Sequence, residues 1–331
     1  MMRPAILGGL AAAASVVVLR VARRRGARRL LAGTRTLPDE AQLVPALDAL
    51  GGEVVRLRAR DGLRLAARWL PQQPDPDSAD LADWQSDPHE AIVLLHGYSG
   101  SIAPDLVEYG PFLRTTAGVL GLDFRGHGAS DDGPSTFGLL EVEDVAGALA
   151  WLGERGVTRV ALVGSSMGGI TAIASVVVLG DGSLAAADAD VAATRHPVDA
   201  PRPRIVAVVG DSVAPELVEP IANRLPGPAR RFTASRLFDG AADLLGADPR
   251  ATEPARIVAL VEPIPLLLIH GGADTTVSPE AGRRLAALAG PHAEHWEVPG
   301  AEHAGAHGVA PQDYERRVTD FLRVALRAAR D

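Results

Sequence analysis

Apolar and polar positions along this chain follow two rhythms, and the rhythms themselves alternate. Residues 53–60 and 63–70 trade apolar for polar with period two on either side of Asp61-Gly62, which predicts a β-hairpin. Short, nearly continuous apolar runs follow at 91–95, 119–122, 160–163, 205–209 and 265–269, with a last strand expected at 295–298. Between them lie stretches with helical spacing, at 105–114, 141–155, 278–289 and 314–329. In the second of these, Val142, Val145, Ala148, Leu149 and Leu152 recur on one face. Strands apolar on both sides, separated by helices, predict a parallel sheet covered on both faces.

Four stretches break the alternation. Residues 34–52 read as a linker with a short helix, 71–88 as a Pro- and Asp-containing surface loop, and 180–204 as an exposed Ala-, Asp- and Pro-rich excursion. Residues 213–262 carry Phe232, Leu237, Phe238, Leu244 and Leu245 in a segment too long for an ordinary connection. That segment is expected to form a small cap over the site.

The head of the chain has its own pattern. Residues 4–19 carry no charge and are rich in Ala, Val and Leu; Arg20 and the cluster Arg23, Arg24, Arg25, Arg28 and Arg29 follow. A secretory signal has the reverse polarity, with charges first and a cleavage site after. The expectation is a membrane-anchor segment over 1–36, with membrane contact through residues 4–29 and the arginines and catalytic domain on the cytoplasmic side. A surface-lying helix or a soluble cytoplasmic protein is the alternative. Residues 37–331 then form the main domain.

Composition narrows the function. A chain of 331 residues that is 47% hydrophobic can bury a large core. Cysteine is absent, which excludes a disulfide framework, a thiolate metal site and a cysteine nucleophile. The net charge is −8, yet eight arginines precede the first acidic residue, Asp39, so the body is strongly acidic. An acidic body excludes nucleic acid as the main partner. No P-loop or dinucleotide fingerprint is present, and neither cofactor nor metal is expected; His303 and His307 have ligand spacing, but Gly305 lies between them and no third ligand accompanies them.

The chemistry is concentrated at Gly164-Ser165-Ser166-Met167-Gly168, where an apolar run ends and a helical one begins. In such a frame the turn strains the central Ser and exposes its hydroxyl, and Gly164 and Gly168 leave room where a Cβ would collide. Ser166 is the candidate nucleophile, and the Met167 N–H at the helix start faces a developing oxyanion. Serine needs a base, and the base needs a carboxylate. His303 and Asp274 both follow strands, in the order Ser, Asp, His expected for this architecture. Asp211 is the rival acid; His292, His295 and His307 compete with His303. Tyr98, in the loop His96-Gly97-Tyr98, offers a second oxyanion N–H, and Gly97 lets that backbone come close. His96 and His127 read as structural.

Five motifs in order carry a resemblance: His96-Gly97-Tyr98, Asp123-x-Arg-Gly-His-Gly-x-Ser130, Gly164-x-Ser-x-Gly168, His270-Gly-x-x-Asp274-x-x-Val277 and Gly300-Ala-Glu-His303. Over roughly residues 53–329 the chain resembles the α/β-hydrolase superfamily, most of all its bacterial serine-aminopeptidase-like and esterase-like group. The resemblance implies an α/β-hydrolase fold: a mostly parallel eight-stranded sheet with helices on both faces and a cap insertion. It also implies a triad of Ser166, Asp274 and His303 with oxyanion donors at Tyr98 and Met167. The expected activity is cleavage of a carboxylic ester in a hydrophobic small-molecule acyl substrate. An aminopeptidase holding a free amino group with Glu216, Glu219 and Asp243 is the alternative, and a non-catalytic binding member a further one. The oligomeric state is left open.

Overall fold

The computed structural model describes residues 20–33, 35, 40–75, 86–98, 100–180 and 202–330. The apolar run ending at residue 19, the middle of the 71–88 loop and nearly all of the 180–204 excursion lie outside the described residues.

Residues 20–31 form helix α1, and α2 (Val44–Leu50) precedes the hairpin β1 (Glu53–Arg58) and β2 (Arg64–Leu70). The chain then alternates: β3 (Glu90–Leu95), α3 (Ala103–Leu113), β4 (Gly118–Leu122), α4 (Glu141–Gly153), β5 (Arg159–Ser165), α5 (Met167–Leu179) and β6 (Arg204–Asp211). After β6 come α6 (Val218–Asn223), α7 (Arg230–Leu245) and α8 (Pro254–Ile257). The alternation resumes with β7 (Leu266–Gly271), α9 (Pro279–Ala289), β8 (Ala293–Val298), α10 (Ala306–Val309) and α11 (Pro311–Ala328).

All eight strands join one sheet in the order β1-β2-β4-β3-β5-β6-β7-β8. Only the pairs β1/β2 and β2/β4 are antiparallel; the other five are parallel. The uniform apolar runs are explained by the two layers they feed. Ala91, Val93 and Leu95 of β3 join the core shared with α4, α5 and α9. Ile92 and Leu94 join the core under α3 and α11. α11 is held by Tyr314, Val318, Leu322 and Leu326, spaced four residues apart and all buried, each worth roughly 1.5–3 kcal/mol of burial.

The parallel strands deliver their following loops to one sheet edge. That edge therefore receives His96–Tyr98 after β3, Ser166 after β5, Ser212 after β6, Asp274 after β7 and His303 after β8. A buried ion pair fixes the loop after β4: Arg125 grips Asp144 of α4 with two nitrogens, at 2.7 and 3.0 Å, and reaches Asp61 at 2.8 Å.

The helices between β6 and β7 and helix α1 meet each other. Ala27, Leu31 and Ala241 form a small buried cluster with Leu244 and Leu245 packed on it, Gly240 lies against Ala27, and Arg23 pairs with Asp243. Phe238 is buried with its ring 5.8 Å from Phe137, which in turn stacks on Tyr98 at 4.9 Å. α6 is tied to the loop after β7 by Asn223 Nδ2, which donates to the Thr276 carbonyl at 3.0 Å. Among the described residues no helix is long and apolar enough to cross a membrane.

Candidate active site

Ser166 sits between β5 and α5 with φ 49° and ψ −112°, a conformation that L-residues avoid. The tightness of the turn explains both flanking glycines. A Cβ on Gly164 would lie 2.4 Å from the Gly168 carbonyl carbon, and one on Gly168 would lie 2.1 Å from the Leu95 carbonyl oxygen. The Ser166 N–H donates to the Asp211 carbonyl at 2.8 Å, which pins the elbow to β6.

The three polar side chains expected to meet do so. His303 Nε2 lies 3.0 Å from Ser166 Oγ, and His303 Nδ1 lies 2.7 Å from Asp274 Oδ2. Asp274 is 3% exposed. Its other oxygen, Oδ1, accepts the N–H groups of Thr276 at 2.8 Å and Val277 at 2.9 Å. Burial opposes ionisation of this carboxyl, but His303 and those two N–H groups together hold it below the usual carboxylate range. An ionised Asp274 fixes the His303 tautomer, with Nδ1–H donating to it and Nε2 open to the serine proton.

Met167 follows Ser166 directly, and Gly97, next to Tyr98, lies beside it. Met167 opens α5, where first-turn N–H groups lack partners inside the helix. The loop carrying Tyr98 runs beside Ser166, since a Cβ built on Gly97 would sit 3.7 Å from Ser166 Cβ. His96 is buried and neutral: burial, then the neighbouring His127, pushes it down to about 3. Its Nδ1 lies 2.6 Å from the Gly97 carbonyl and its Nε2 accepts the Phe124 N–H at 3.1 Å. His127 lies 2.6 Å from the Tyr98 carbonyl.

The competitors fall elsewhere. Asp211 ends β6 with its Oδ1 accepting the Ser212 hydroxyl at 2.9 Å, while Asp274 holds the histidine. His307 lies 2.8 Å from Glu108 and 3.0 Å from Glu315. His295 lies in β8, and no hydrogen bond reaches either ring nitrogen of His292. The carboxylates considered for holding an amino group are already engaged: Glu216 pairs with Arg284 at 2.9 Å, Asp243 with Arg23, and Glu219 accepts the Ser278 hydroxyl at 2.9 Å.

Two supporting residues, Ser212 and Leu30, escape sequence reasoning, and a third, His270, enters it only as part of a motif. Ser212 Oγ accepts the Ala304 N–H at 2.8 Å and so holds the loop immediately after His303. His270 lies between the Val277 carbonyl, at 3.0 Å, and Asp274 Oδ2, at 3.6 Å. Leu30 receives the Tyr98 hydroxyl on its carbonyl at 2.6 Å. For His270 a signal existed in its place at the end of an apolar strand; nothing in residue type marks Ser212 or Leu30.

Comparison with known proteins places this chain among relatives. A model of the alpha/beta hydrolase family matches residues 92–318. Proteins designated YfhR and described as uncharacterized, from two strains of Escherichia coli, are 27% identical over 293 residues, covering 87% of this chain and 86% of their own length. Among solved structures, the esterase Pf2001 of Pyrococcus furiosus is similar with TM-score 0.57 and 23% identity, over 84% of this chain and 95% of its own. An alpha-beta hydrolase from Vibrio vulnificus gives TM-score 0.61 at 15% identity, over 91% and 93%. At such identities the structural likeness carries the fold alone.

Proposed function

The chain belongs to the alpha/beta hydrolase family, and from that premise we propose that it is a serine hydrolase that cleaves carboxylic ester bonds of a hydrophobic substrate. One observation carries the reading: His303 stands between the Ser166 hydroxyl and the Asp274 carboxylate with a hydrogen-bond length on each side.

His303 Nε2 takes the proton of Ser166 Oγ as that oxygen attacks the ester carbonyl, and the resulting imidazolium is stabilised by Asp274. The N–H groups of Met167 and Tyr98 receive the oxyanion. The alkoxide leaves with the proton returned by His303, and the acyl group remains on Ser166. Water, deprotonated by His303, then releases the carboxylic acid and regenerates the serine. The partly exposed ring of Tyr98, backed by the buried Phe137, supports an apolar acyl or alkyl group beside the nucleophile. An amine-binding aminopeptidase site is less well supported, because Glu216, Glu219 and Asp243 have partners of their own.

Residues 213–262 serve in this reading as the cap. The basic, apolar head serves as a membrane contact that keeps the catalytic domain on the cytoplasmic side. We assign that contact to residues before Ala27, because Ala27 itself is buried against α7.

The test is labelling with a fluorophosphonate, followed by a panel of p-nitrophenyl esters set against aminoacyl-naphthylamides. Expected are a stoichiometric label on Ser166, turnover of esters, and loss of about 10⁶-fold in kcat in Ser166→Ala. Ester turnover by Ser166→Ala at the parental rate would sink the proposal.

A further inference from the structure

We infer that the C-terminal end of α1 is a positioning element for the oxyanion donors, an inference that rests on the acyl-transfer reading above. A helix ends with carbonyls that have no partner inside it. Here two of them are taken by the walls of the site. The Leu30 carbonyl accepts the Tyr98 hydroxyl at 2.6 Å. The Leu31 carbonyl accepts the Ser135 N–H at 2.8 Å, and the Ser135 hydroxyl lies 3.3 Å from Met167 Sδ, with both side chains buried. Tyr98 thus touches the end of this helix directly, and Met167 is one residue, Ser135, removed from it.

The next turn of chain tightens the hold. The Arg35 carbonyl accepts the Gly128 N–H at 2.7 Å, and its guanidinium donates to the Ser130 carbonyl at 2.9 Å. Gly33 lies against His127, since a Cβ there would come within 3.0 Å of the ring. His127 faces the Tyr98 carbonyl at 2.6 Å. Tyr98 is therefore gripped at its phenol by α1 and at its backbone by a histidine packed on the segment after α1. The grip matters because an oxyanion donor must already point at the place where charge develops; misplacement weakens the transition state and leaves substrate binding unchanged.

α1 is itself held by contacts that substitution can reach: Ala27 on Gly240 and Ala241, and Arg23 on Asp243. Tyr98→Phe removes the phenol hydroxyl and keeps the ring stacked on Phe137. Ala27→Glu forces α1 away from α7, and Arg23→Ala loosens it without adding bulk. Measured on one p-nitrophenyl ester, Tyr98→Phe and Ala27→Glu are each expected to lower kcat about tenfold with KM unchanged and the fluorophosphonate titre intact. The double variant is expected to lose about as much as Ala27→Glu alone and not about a hundredfold, because displacing α1 already releases the Tyr98 hydroxyl. Should Ala27→Glu lose its titre through unfolding, Arg23→Ala decides, with a fall of a few-fold in kcat at constant KM expected.

Parental kcat in Ala27→Glu, a loss expressed only in KM, or a multiplicative double variant would each overturn the inference. Failure of the acyl-enzyme reading is a separate event: it appears as ester turnover by Ser166→Ala, whatever α1 does.

Discussion

At the sheet edge that carries Ser166 there is no room for another atom: a Cβ on Gly164 or Gly168 would press within 2.4 and 2.1 Å of backbone. Across the site, where α1 lies on α7, a Cβ on Gly240 would meet Ala27 Cβ and Arg23 Cγ at 3.0 Å. The first contact lies far inside any distance that backbone tolerates; the second falls short by only a few tenths of an ångström, against Ala27 Cβ, Arg23 Cγ and, at 3.3 Å, the Arg23 carbonyl, all on one helix that can shift as a unit. Chemistry in this molecule sits on the unyielding side. The roof proposed over it is assembled from helices far apart in the chain.

The largest test of that contrast concerns the carboxylate on the rigid side. Asp274→Asn is expected to lower kcat about 10⁴-fold, because the amide no longer stabilises the imidazolium or fixes its tautomer. The thermal transition should stay near that of the parent. A loss within tenfold would mean that another acid, Asp211 being nearest in kind, can take over, and the rigidity of the edge would then not matter to the chemistry.

A paired substitution addresses the contrast directly. Gly168→Ala should destabilise by about 3 kcal/mol or more, since the backbone of Leu95 cannot move aside. Gly240→Ala should stay within about 1 kcal/mol of the parent, because the gain in helix propensity offsets a tight but adjustable contact. Urea midpoints measure both. Equal losses would erase the distinction between the two regions.

The smallest expected effect is electrostatic. Burial pushes the Asp211 carboxyl up to about 6, against the lowering influence of Ser212 and Tyr314. The folded chain then binds this proton more tightly than the unfolded chain does. Its contribution to stability is complete below pH ~4 and is lost as pH rises through about 6. Asp211→Asn should flatten the fall in stability across that window and leave the variant on the order of 2 kcal/mol more stable at neutral pH. Denaturation at a series of pH values reads it, and an unchanged slope would assign the pH dependence to other groups.

The same division governs what could be read from the residues alone. The rigid side is written locally: apolar runs give β3 to β7, and the glycines flanking Ser166 mark a turn whose geometry the structure shows. Ser166, Asp274 and His303 each follow a strand, so a parallel sheet brings them together with little further information. The roof has no such local script. Helix α7 mixes Arg230, Arg231 and Arg236 with Phe232 and Phe238, so its buried stripe is visible only once the surface it covers is known. Arg20 to Arg29 read as the flank of a membrane segment, and packing adds what that pattern does not carry, the burial of Ala27 against α7. Leu30 acts through its carbonyl, and Ser212 through a contact 92 residues away with Ala304. A main-chain atom or a distant partner leaves no trace in residue type.

The separation between Arg23 and its partner has a temporal meaning. Asp243 follows 220 residues later, so at ~5–20 residues per second the ribosome needs roughly 10–40 s to extrude what α1 must dock upon. During that interval Ala27 and Leu31 lack Ala241, the α7 residue with which they cluster in the folded chain. Docking of α1 on α7 therefore follows the synthesis of β1 to β6.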